Sequence, residues 1–581
     1  MHSPSMHRMR RAVVAILLCA APLIAVPADA STSLVDRSAL REVLRSQARA
    51  ASHGVLALPL PEGPRAAAAM GPGELAAITR NAGPERLLVG ARTHADLPRL
   101  AAKLRRLGAR PVAFETIGVL AARVPSGAAA VAALRGDGRV AYVERDRTLR
   151  VAADPFDAVD AATGLKFTWF YDHVRAAEAL AAAGGGSTRS VAVIDTGLDV
   201  RHPEFGGAAR IGRTFDTLSR GPDVTDLVGH GTFVSGLIAA VDGNGIGGKG
   251  VAGNTKLVAV RASRDGTFTV GDLIRGIEFS IRAGADVLNM SLAGQGFSRT
   301  QARALDAAFF NDVLPVAASG NNALSGNPLE FPAAAVGGAR GRVGIGLSVA
   351  ATKPNGAIGA FSNHNQFVSI AAPGAAAAGC AFGVFSTLPA RAGTAWDHPA
   401  SCSQVFPRPE GRYGYAEGTS FSAPIVSGIA AVVWQVERRL ASEQVAEVLT
   451  RSARQTIGTG WNEFTGHGIV DGATAAGLAR AYDVRAPVVR GRARRSGQAV
   501  TVRLRRARDR TEPGRELAGG VTYSLLVSRD GGRDFDPIAR RRKRPISKTV
   551  RLHGRRTNVI VATACDRNGN CGVRRLGRFR P

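Results

Sequence analysis

Apolar residues recur with different periods along the 581-residue chain, and each period marks a separate region. Between residues 86 and 150, short apolar runs alternate with two stretches in which apolar residues fall at helical spacing. The predicted strands are Arg86–Ala91, Arg110–Glu115, Gly118–Val124 and Arg139–Arg145, and the predicted helices are Leu97–Leu107 and Gly127–Leu134. This β-α-β-β-α-β order predicts a small ferredoxin-like α+β domain.

Between about residues 187 and 482, apolar runs without polar alternation are separated by helical stretches, a pattern typical of strands buried on both faces. The predicted strands are Ser190–Ile194, Lys256–Arg261, Ala285–Met290, Val313–Ala318, Gly346–Ala351 and Phe367–Ala371. The predicted helices are Gly231–Ala240, Gly271–Ala283, Arg299–Asn311, Ser420–Val436 and Ser442–Ser452. We therefore expect an α/β domain with a parallel sheet, helices on both of its faces, and functional groups at the carboxyl ends of the strands.

The helical period disappears from about residue 485, and short strands separated by polar turns take its place. The predicted strands are Ala499–Leu504, Val521–Val527, Thr549–Leu552 and Asn558–Ala564. Two glycine-bearing turns are predicted, one around residues 528–532 and one around residues 566–570, after the last of these strands. Residues 485–581 are thus predicted to form a small β-sandwich-like domain.

The first thirty residues have the parts of a secretory signal peptide. An arginine-bearing start precedes the apolar run Ala12–Val26, and Ala28-Asp29-Ala30 follows as a small-x-small cleavage site. We therefore expect a secreted, extracytoplasmic protein, with residues 31–85, rich in Ala, Pro and Gly, as a spacer. After the signal peptide, no stretch is predicted to be apolar over enough length to span a membrane.

Four cysteines remain once the predicted signal peptide, which contains Cys19, has been cleaved off. Because export leads to an oxidising compartment, we expect them to form two disulfides. Of the three connectivities that four cysteines allow, we favour the local one, which joins Cys380 to Cys402 and Cys565 to Cys571. The sequence contains no C-x-x-C or H-E-x-x-H pattern, so no zinc site is predicted.

Charge is distributed unevenly. Residues 485–581 hold 27 Lys and Arg against 7 Asp and Glu, a net charge of +20 out of the +29 of the whole chain. Such a surface is suited to an anionic polymer such as a wall polymer, a nucleic acid or an acidic glycan. A solvated, arginine-biased surface is an equally good interpretation of the composition.

Three glycine-bearing motifs carry residues suited to nucleophilic catalysis. Asp195 directly follows a buried strand, and His230 starts an apolar helix. Ser420 opens a helix that is apolar nearly all round and therefore central, with Pro424 predicted in its first turn. Each motif alone is more often structural: a turn or cap for the aspartate, a solvated histidine, an N-cap serine.

Together the three motifs resemble the aspartate, histidine and serine blocks of the subtilase family, in the chain order that subtilisin uses. The resemblance covers about residues 187–480 and implies a subtilisin-like catalytic domain over residues 154–483. It also implies a serine endopeptidase that hydrolyses protein or peptide substrates through an acyl-enzyme, with Asp195, His230 and Ser420 as catalytic triad. No cofactor is required for such chemistry.

Further motifs of the family have counterparts here. Asn321, in Ala317-Ala318-Ser319-Gly320-Asn321, corresponds to the asparagine of the oxyanion hole. Asp286–Leu292 resembles the strand that lines the substrate cleft, which assigns Ser291, Leu292 and Ala293 to the cleft. Glu204 and Asn244 resemble ligand positions of a structural calcium ion, although calcium also needs backbone oxygens that a sequence does not reveal.

Residues 86–150 resemble an inhibitor-type propeptide, most clearly in Val140–Asp146. The resemblance implies a zymogen whose own propeptide blocks the cleft until the enzyme cleaves the chain between residues 147 and 165. Two departures from the family are Phe233, where many relatives carry a second histidine, and an extra segment near residues 390–412 that Cys380 and Cys402 are expected to brace.

The alternative hypothesis is a catalytically inactive secreted binding protein on a subtilase scaffold. It is disfavoured because inactive copies commonly lose a triad residue and none is missing here. A serine-carboxyl peptidase is a nearer rival, since its serine block is similar. The Gly229-His230-Gly231 motif and Asn321 argue against it.

Overall fold

The computed structural model describes residues 84–580 except 147, 152–167, 185–188, 208–209, 243, 245–247, 254, 377–382, 391–404, 409–410, 516–517, 530–534 and 554–556. For residues 148–151, 405–408 and 411 only the backbone is described. The predicted signal peptide, nearly all of the predicted spacer, and both Cys380 and Cys402 lie outside the described residues.

The N-terminal region is a four-stranded antiparallel sheet covered by two helices. Its elements are β1 (Glu85–Ala91), α1 (Leu97–Arg106), β2 (Val112–Phe114), β3 (Val119–Val124), α2 (Gly127–Leu134) and β4 (Val140–Arg145). The strand order is β2-β3-β1-β4, with the first strand central. Leucines at helical spacing, such as Leu100 and Leu104, pack onto Leu87 and Val89 of that strand. The predicted ferredoxin-like arrangement is confirmed.

The central region contains a seven-stranded, all-parallel sheet. Its strands are β6 (Ser190–Asp195), β7 (Ile211–Asp216), β8 (Lys256–Arg261), β10 (Val287–Met290), β12 (Leu314–Ala318), β14 (Leu347–Thr352) and β15 (Ile370–Pro373). They lie in the order β15-β14-β12-β10-β6-β8-β7. The six predicted strands are all present, and the edge strand β7 was missed because its Ile-Gly-Arg-Thr-Phe-Asp sequence is not an apolar run.

Helices cover both faces of this sheet, as predicted. They are α3 (Trp169–His173), α4 (Ala176–Ala182), α5 (His230–Ala239), α6 (Val270–Arg282), α7 (Arg299–Phe310), α8 (Ala333–Val336), α9 (Thr419–Val436), α10 (Ser442–Ser452) and α11 (Gly472–Ala481). One face packs on α5, α9, α10 and α11, and the other packs on α6 and α7. The alternating odd and even residues of β6 divide between the two cores, so this strand is buried on both faces.

The helix α9 begins one residue earlier than predicted, after the N-cap Gly418. Pro424 is therefore its sixth residue and lies inside the helix, beyond the first turn in which it was predicted. Among the described residues α9 alone has the length and apolarity of a membrane span, contrary to the expectation that no such stretch would occur. Its side chains are buried in the core, which explains the apolarity without a membrane.

A small four-stranded sheet lies beside the carboxyl end of the parallel sheet, in the order β13-β11-β5-β9. Its strands are β5 (Thr148–Val151), β9 (Thr267–Thr269), β11 (Leu292–Gln295) and β13 (Glu330–Phe331). The extra segment near residues 390–412 contributes β17 (Val405–Arg408) and β18 (Gly411–Ala416), which pair with each other, and β18 also pairs with β16 (Val384–Leu388).

The C-terminal region is a sandwich of two antiparallel sheets, as predicted. The strands are β19 (Val488–Ser496), β20 (Ala499–Arg508), β21 (Thr522–Ser528), β22 (Asp536–Arg542), β23 (Ser547–Arg551), β24 (Asn558–Cys565) and β25 (Cys571–Phe579). The sheet orders are β19-β20-β23 and β22-β21-β24-β25. Three strands (β19, β22 and β25) were missed, because each carries several arginines. The predicted Cys565–Cys571 disulfide is present and closes the turn between β24 and β25.

The N-terminal sheet packs against helices α6 and α7 of the central region. Leu88, Phe114 and Val119, on the sheet face opposite its own helices, join the hydrophobic core that contains these two helices. At the edge of this contact Glu144 accepts hydrogen bonds from Ser298 Oγ (2.6 Å) and from the N–H of Thr300 (3.2 Å) at the start of α7. Asp146 accepts one from the N–H of Gly271 (2.6 Å) at the start of α6.

Candidate active site

Asp195 and His230 form a buried pair where strand β6 ends and helix α5 begins. His230 Nδ1 lies 2.7 Å from Asp195 Oδ1, and neither side chain is exposed to solvent. The N–H of Thr196 donates to the same carboxylate oxygen at 2.7 Å, which fixes the carboxylate plane. Nδ1 therefore carries the proton that faces the carboxylate, and Nε2 is left as the basic nitrogen of the ring.

Glycine at two positions permits the strand end and the helix start to touch. Gly197 has φ +125°, a conformation that side-chain-bearing residues rarely adopt. A Cβ on Gly231 would lie 2.2 Å from the carbonyl oxygen of Gly197. The two glycines therefore set the separation between Asp195 and His230.

Asp226 ties together the two backbone segments that carry this pair. Its Oδ1 accepts hydrogen bonds from Thr196 Oγ1 (2.9 Å) and from the N–H of Gly229 (2.8 Å). Its Oδ2 accepts from the N–H (2.8 Å) and the hydroxyl (2.7 Å) of Thr232 in the first turn of α5. The Thr196 hydroxyl in turn accepts from the N–H of Gly231 at 2.9 Å. One buried carboxylate thus positions both partners of the pair.

Ser420 is the second residue of α9 and is fully buried. The first backbone N–H groups of a helix have no carbonyl partner within it, so the N–H of Ser420 is available to an anion. Pro424 has no N–H to donate to the carbonyl of Ser420, four residues earlier. The hydroxyl of Ser291 donates to that carbonyl at 2.6 Å. The proline inside the helix therefore leaves the carbonyl of Ser420 free to accept the hydrogen bond from Ser291, which links Ser420 to the neighbouring strand.

The hydroxyl of Ser420 donates to the carbonyl oxygen of Ser291 at 3.1 Å. Within the described part of the chain, His230 Nε2 has no hydrogen-bond partner. The ring of His230 lies beside that of Phe421, the residue after Ser420, with centroids 5.4 Å apart. The imidazole thus adjoins the first turn of α9, and rotation of the hydroxyl about its χ1 bond is what would direct it towards the ring.

Asn321 lies at the same helix end, with a defined amide orientation. Its Oδ1 accepts hydrogen bonds from the N–H (2.9 Å) and the hydroxyl (2.8 Å) of Thr419, the residue before Ser420. Because the oxygen faces Thr419, the NH₂ group faces away from it, and this Nδ2 is buried without a partner among the described residues. The side chain thus offers an unused donor next to the N–H of Ser420.

The residues predicted to line the cleft lie on both sides of a strand junction. Ser291 is the buried residue between β10 and β11, and Leu292 and Ala293 start the latter strand. One edge of this strand pairs antiparallel with β5, in the register Leu292 with Val151 and Ala293 with Arg150. An extended peptide segment of the chain itself therefore lies along the predicted cleft.

Glu204 and Asn244, the predicted calcium ligands, contact each other directly. Asn244 Nδ2 donates to Glu204 Oε2 at 2.9 Å, while Glu204 Oε1 accepts from the hydroxyl of Tyr413 (3.1 Å) and from the N–H of Gly248. Burial raises the pKa of the Glu204 carboxyl above its ordinary value. Calcium needs several oxygen ligands, whereas the groups that face the Glu204 carboxylate are N–H and O–H donors. The described residues therefore do not form a calcium cage. Calcium binding by this loop stays a prediction.

The structure brings Asp195, His230, Ser420 and Asn321 to one end of the parallel sheet, as expected from the motif positions. Phe233 is buried against Phe421, with ring centroids 4.7 Å apart, and takes no part in the polar contacts of the pair. Sequence reasoning missed Asp226 and Thr419. Only the Asp-x-x-Gly-His spacing before His230 and the Thr-Ser dipeptide would have indicated them, and both patterns are common.

Comparison with known proteins agrees with this architecture. The model of the subtilase family matches residues 186–468. Thermophilic serine proteinase from Bacillus sp. (strain AK1) is 30% identical over 277 residues, which cover 48% of this chain and 59% of that protein. Fervidolysin from Fervidobacterium pennivorans is 32% identical over 316 residues, covering 52% of this chain and 42% of that protein. The chain thus spans less than two thirds of either relative.

A third relative is covered almost completely. Subtilisin DY from Bacillus licheniformis is 30% identical over 298 residues, which cover 50% of this chain and 92% of that protein. Residues 186–468, which the family model matches, contain the parallel sheet and the residues gathered at its carboxyl end. The chain therefore belongs to the subtilase family.

Proposed function

We propose that this chain is an exported serine endopeptidase, made as a zymogen, which hydrolyses proteins or peptides through Asp195, His230 and Ser420. The observation that carries the proposal is the buried His230–Asp195 pair beside the first turn of α9, where Ser420 lies. The names of the subtilisin-like relatives support the same reaction. The chemistry uses side chains and backbone groups of the chain.

In the proposed reaction the Ser420 hydroxyl rotates from the Ser291 carbonyl to His230 Nε2 and attacks the peptide carbonyl. His230 takes the hydroxyl proton and then gives it to the leaving amine, which leaves an acyl ester on Ser420. Asp195 holds the Nδ1 proton and stabilises the imidazolium. Water, deprotonated by His230, then cleaves the ester and restores the hydroxyl.

The negative charge of the tetrahedral intermediate needs two donors. The N–H of Ser420 at the start of α9 is one, and the unpartnered Nδ2 of Asn321 is the other. Because Thr419 holds the oxygen of the same amide, the donor is oriented before substrate arrives. Preorganised donors cost no reorganisation when the charge develops, and this is what makes them effective.

We infer that residues 86–150 act as an inhibitory propeptide and that the bond after Ala152 is cleaved in maturation. Strand β5 pairs antiparallel with β11 on one side and with β9 on the other, as an extended substrate would. The register pairs Ala293 with Arg150 and Leu292 with Val151. The structure does not describe Ala152, but the same register continued by one residue along the sequence would bring Ala152 opposite Ser291, whose carbonyl contacts Ser420. The carbonyl of Ala152 is therefore the one we assign to Ser420.

The inhibitory interaction is proposed to rest on two further contacts. Glu144 and Asp146 place carboxylates at the N-termini of α7 and α6, where the helix dipoles favour negative charge. Both residues lie just before β5 and so fix the path by which the segment enters the cleft. The propeptide then inhibits as a product that remains bound after cleavage.

The alternative, an inactive binding protein on the same scaffold, has no specific observation in its favour. The two hypotheses differ in one property that can be measured directly, the reactivity of Ser420 towards a fluorophosphonate. Labelling of the wild-type chain, abolished in Ser420→Ala, supports the peptidase. The absence of labelling at neutral pH in a processed, folded chain would support the binding protein.

Replacement of Ser420 by alanine should abolish casein hydrolysis and leave the secreted chain as a precursor, because no nucleophile remains to cleave it. The wild-type protein should mature with Ala153 as its N-terminal residue. Gel analysis and N-terminal sequencing measure both. Ser422→Ala is the matched control, since the Ser422 hydroxyl bonds the carbonyls of Ala372 and Pro373 away from the proposed chemistry. Normal maturation of the Ser420→Ala precursor would refute the triad. A wild-type mature N-terminus other than Ala153 would refute only the register.

Replacement of Asn321 by alanine should lower turnover by about 10²–10³-fold with little change in KM, a size taken over from the equivalent loss in subtilisin. The reason is that the donor serves the intermediate and not the ground state. Kinetics on a peptide amide substrate measure the effect. Asn322→Ala is the control, because Asn322 Nδ2 donates to Glu330 instead. An unchanged turnover in Asn321→Ala would contradict the assignment.

Asp226→Asn should lower the free energy of unfolding by about 2 kcal/mol and reduce turnover. The reason is that the amide NH₂ of asparagine would face N–H groups from which Asp226 now accepts hydrogen bonds. Urea unfolding and kinetics on the same preparations give the two quantities. Asp223→Asn removes a neighbouring carboxylate that is largely exposed and should change neither. If Asp226→Asn behaves like this control, the positioning role is wrong.

Glu144→Gln should shorten the delay between cleavage of the precursor and appearance of activity, because the helix-capping charge is lost and the propeptide dissociates faster. A loss of about 1 kcal/mol predicts a roughly fivefold effect. The delay is measured on full-length chain by gel densitometry and a fluorogenic substrate in parallel. Glu115→Gln, which alters an exposed carboxylate of the same region, is the control. A longer delay in Glu144→Gln would contradict the contact's role.

A further inference from the structure

The outer face of the β19-β20-β23 sheet carries a concentration of arginines. Residues 500, 502, 504 and 550 of these strands point into the sandwich core, so their neighbours point outwards. The outward-facing arginines are Arg490, Arg492, Arg494, Arg503, Arg505 and Arg551. They are exposed except for Arg490, which is half-buried. We call this surface the arginine face.

The strand register places like charges directly opposite each other. Arg490 opposes Arg505, and Arg492 opposes Arg503. Further along, Arg494 opposes Thr501, whose other neighbour is Thr549. In the described part of the chain, none of the six arginines forms an ion pair, although acidic residues elsewhere in the region do pair with arginines. Directly opposed like charges destabilise a sheet, so folding alone does not account for this arrangement.

We propose that the arginine face binds a flexible, base-free phosphodiester polymer of the poly(glycerol phosphate) type. Planar guanidinium groups bind phosphate oxygens through paired N–H donors, with better geometry than an ammonium group offers. Opposed arginines on adjacent strands form a row, and successive rows lie two residues apart along the strands. A phosphate chain lying along the face would supply the counter-charge that the arginines lack within the protein.

The surroundings of the arginines favour this polymer over nucleic acid. The outward positions between them are Thr501, Thr549, Ser547, Ser496 and Ala499, so the face offers no aromatic ring on which a base would stack. A sheet face also lacks a projecting helix or ribbon that would enter a duplex groove. A rigid duplex would touch such a face along a short arc of backbone, whereas a flexible single chain can follow several rows.

The test uses the full-length chain carrying Ser420→Ala, which removes the proposed proteolysis of the sample, and fluorescent poly(glycerol phosphate) as probe. Binding is measured by anisotropy between about 50 and 200 mM salt. With about six phosphates neutralised, the slope of log affinity against log salt should be about −4. The triple variant Arg490→Gln, Arg492→Gln, Arg505→Gln should bind at least tenfold more weakly, with a slope of about −2.

The matched control is Arg540→Gln, Arg542→Gln, Arg544→Gln, which changes the net charge equally at exposed positions on and beyond β22 of the other sheet. It should lose less than about threefold in affinity. Thermal unfolding supplies a second readout: removal of opposed like charges should leave the stability of the arginine-face variant unchanged or raised.

Three results would overturn the proposal. No binding at about 50 mM salt is one, and an equal loss of affinity in the two triple variants is another, since that would mean net charge alone is responsible. The third is binding of duplex DNA or polyglutamate of the same charge as tightly as poly(glycerol phosphate), which would refute the choice of polymer. All three are independent of whether the chain is a peptidase.

Discussion

The close approach of the Asp195 turn to the start of helix α5 is the constraint on which the candidate active site depends. Two glycines permit the contact, and the buried carboxylate of Asp226 stabilises it by accepting hydrogen bonds from both segments. A buried carboxylate without a cation is costly unless donors satisfy it. Here backbone N–H groups and threonine hydroxyls do so, and their hydrogen bonds offset the cost of burying the carboxylate.

Helix α9 joins the proposed nucleophile, the proposed oxyanion donors and the proposed substrate strand into one unit. Thr419 orients the amide of Asn321, Ser420 offers its hydroxyl and N–H, and Pro424 releases the carbonyl that Ser291 binds. A proline inside a helix ordinarily costs about 3 kcal/mol. In this helix the hydrogen bond that Pro424 cannot make to the carbonyl of Ser420 is replaced by one from the Ser291 hydroxyl. That bond offsets part of the cost and aligns the proposed nucleophile with the strand on which a peptide would lie.

The central fold was predictable because its strands and helices differ strongly in period and are buried. Lys256–Arg261 and Ser442–Ser452 are found with the predicted bounds, and the other predicted elements of the sheet differ by one to three residues. The strands missed in the C-terminal region are rich in arginine. In β19, Val-Val-Arg-Gly-Arg-Ala-Arg-Arg-Ser, most residues on the core side are small, and the outer side carries arginines. Such a strand pairs through its backbone, and its side chains give little apolar signal.

Candidate site residues were predictable where a local motif surrounds them and not where a role depends on distant contacts. Asp195, His230 and Ser420 each stand in a glycine-bearing motif, whereas Asp226 is one of many aspartates in loops. Its importance arises from donors three and six residues later and thirty residues earlier, which only the folded chain brings together. Spacing along the sequence indicates which groups are available, and packing decides which of them hold the others in place.

The N-terminal region illustrates how one set of contacts can serve two purposes. Strand β5 lies between β9 and β11, so it uses the hydrogen-bonding edges that an extended substrate needs, while Glu144 and Asp146 use helix ends that lie outside the cleft. The proposed cleavage of the chain after β5 would leave both sets of contacts intact and remove only the covalent connection. In the proposed zymogen, release would then have to break sheet pairing, two helix caps and an apolar interface together. Inhibition would therefore outlast the cut, and dissociation would set the onset of activity.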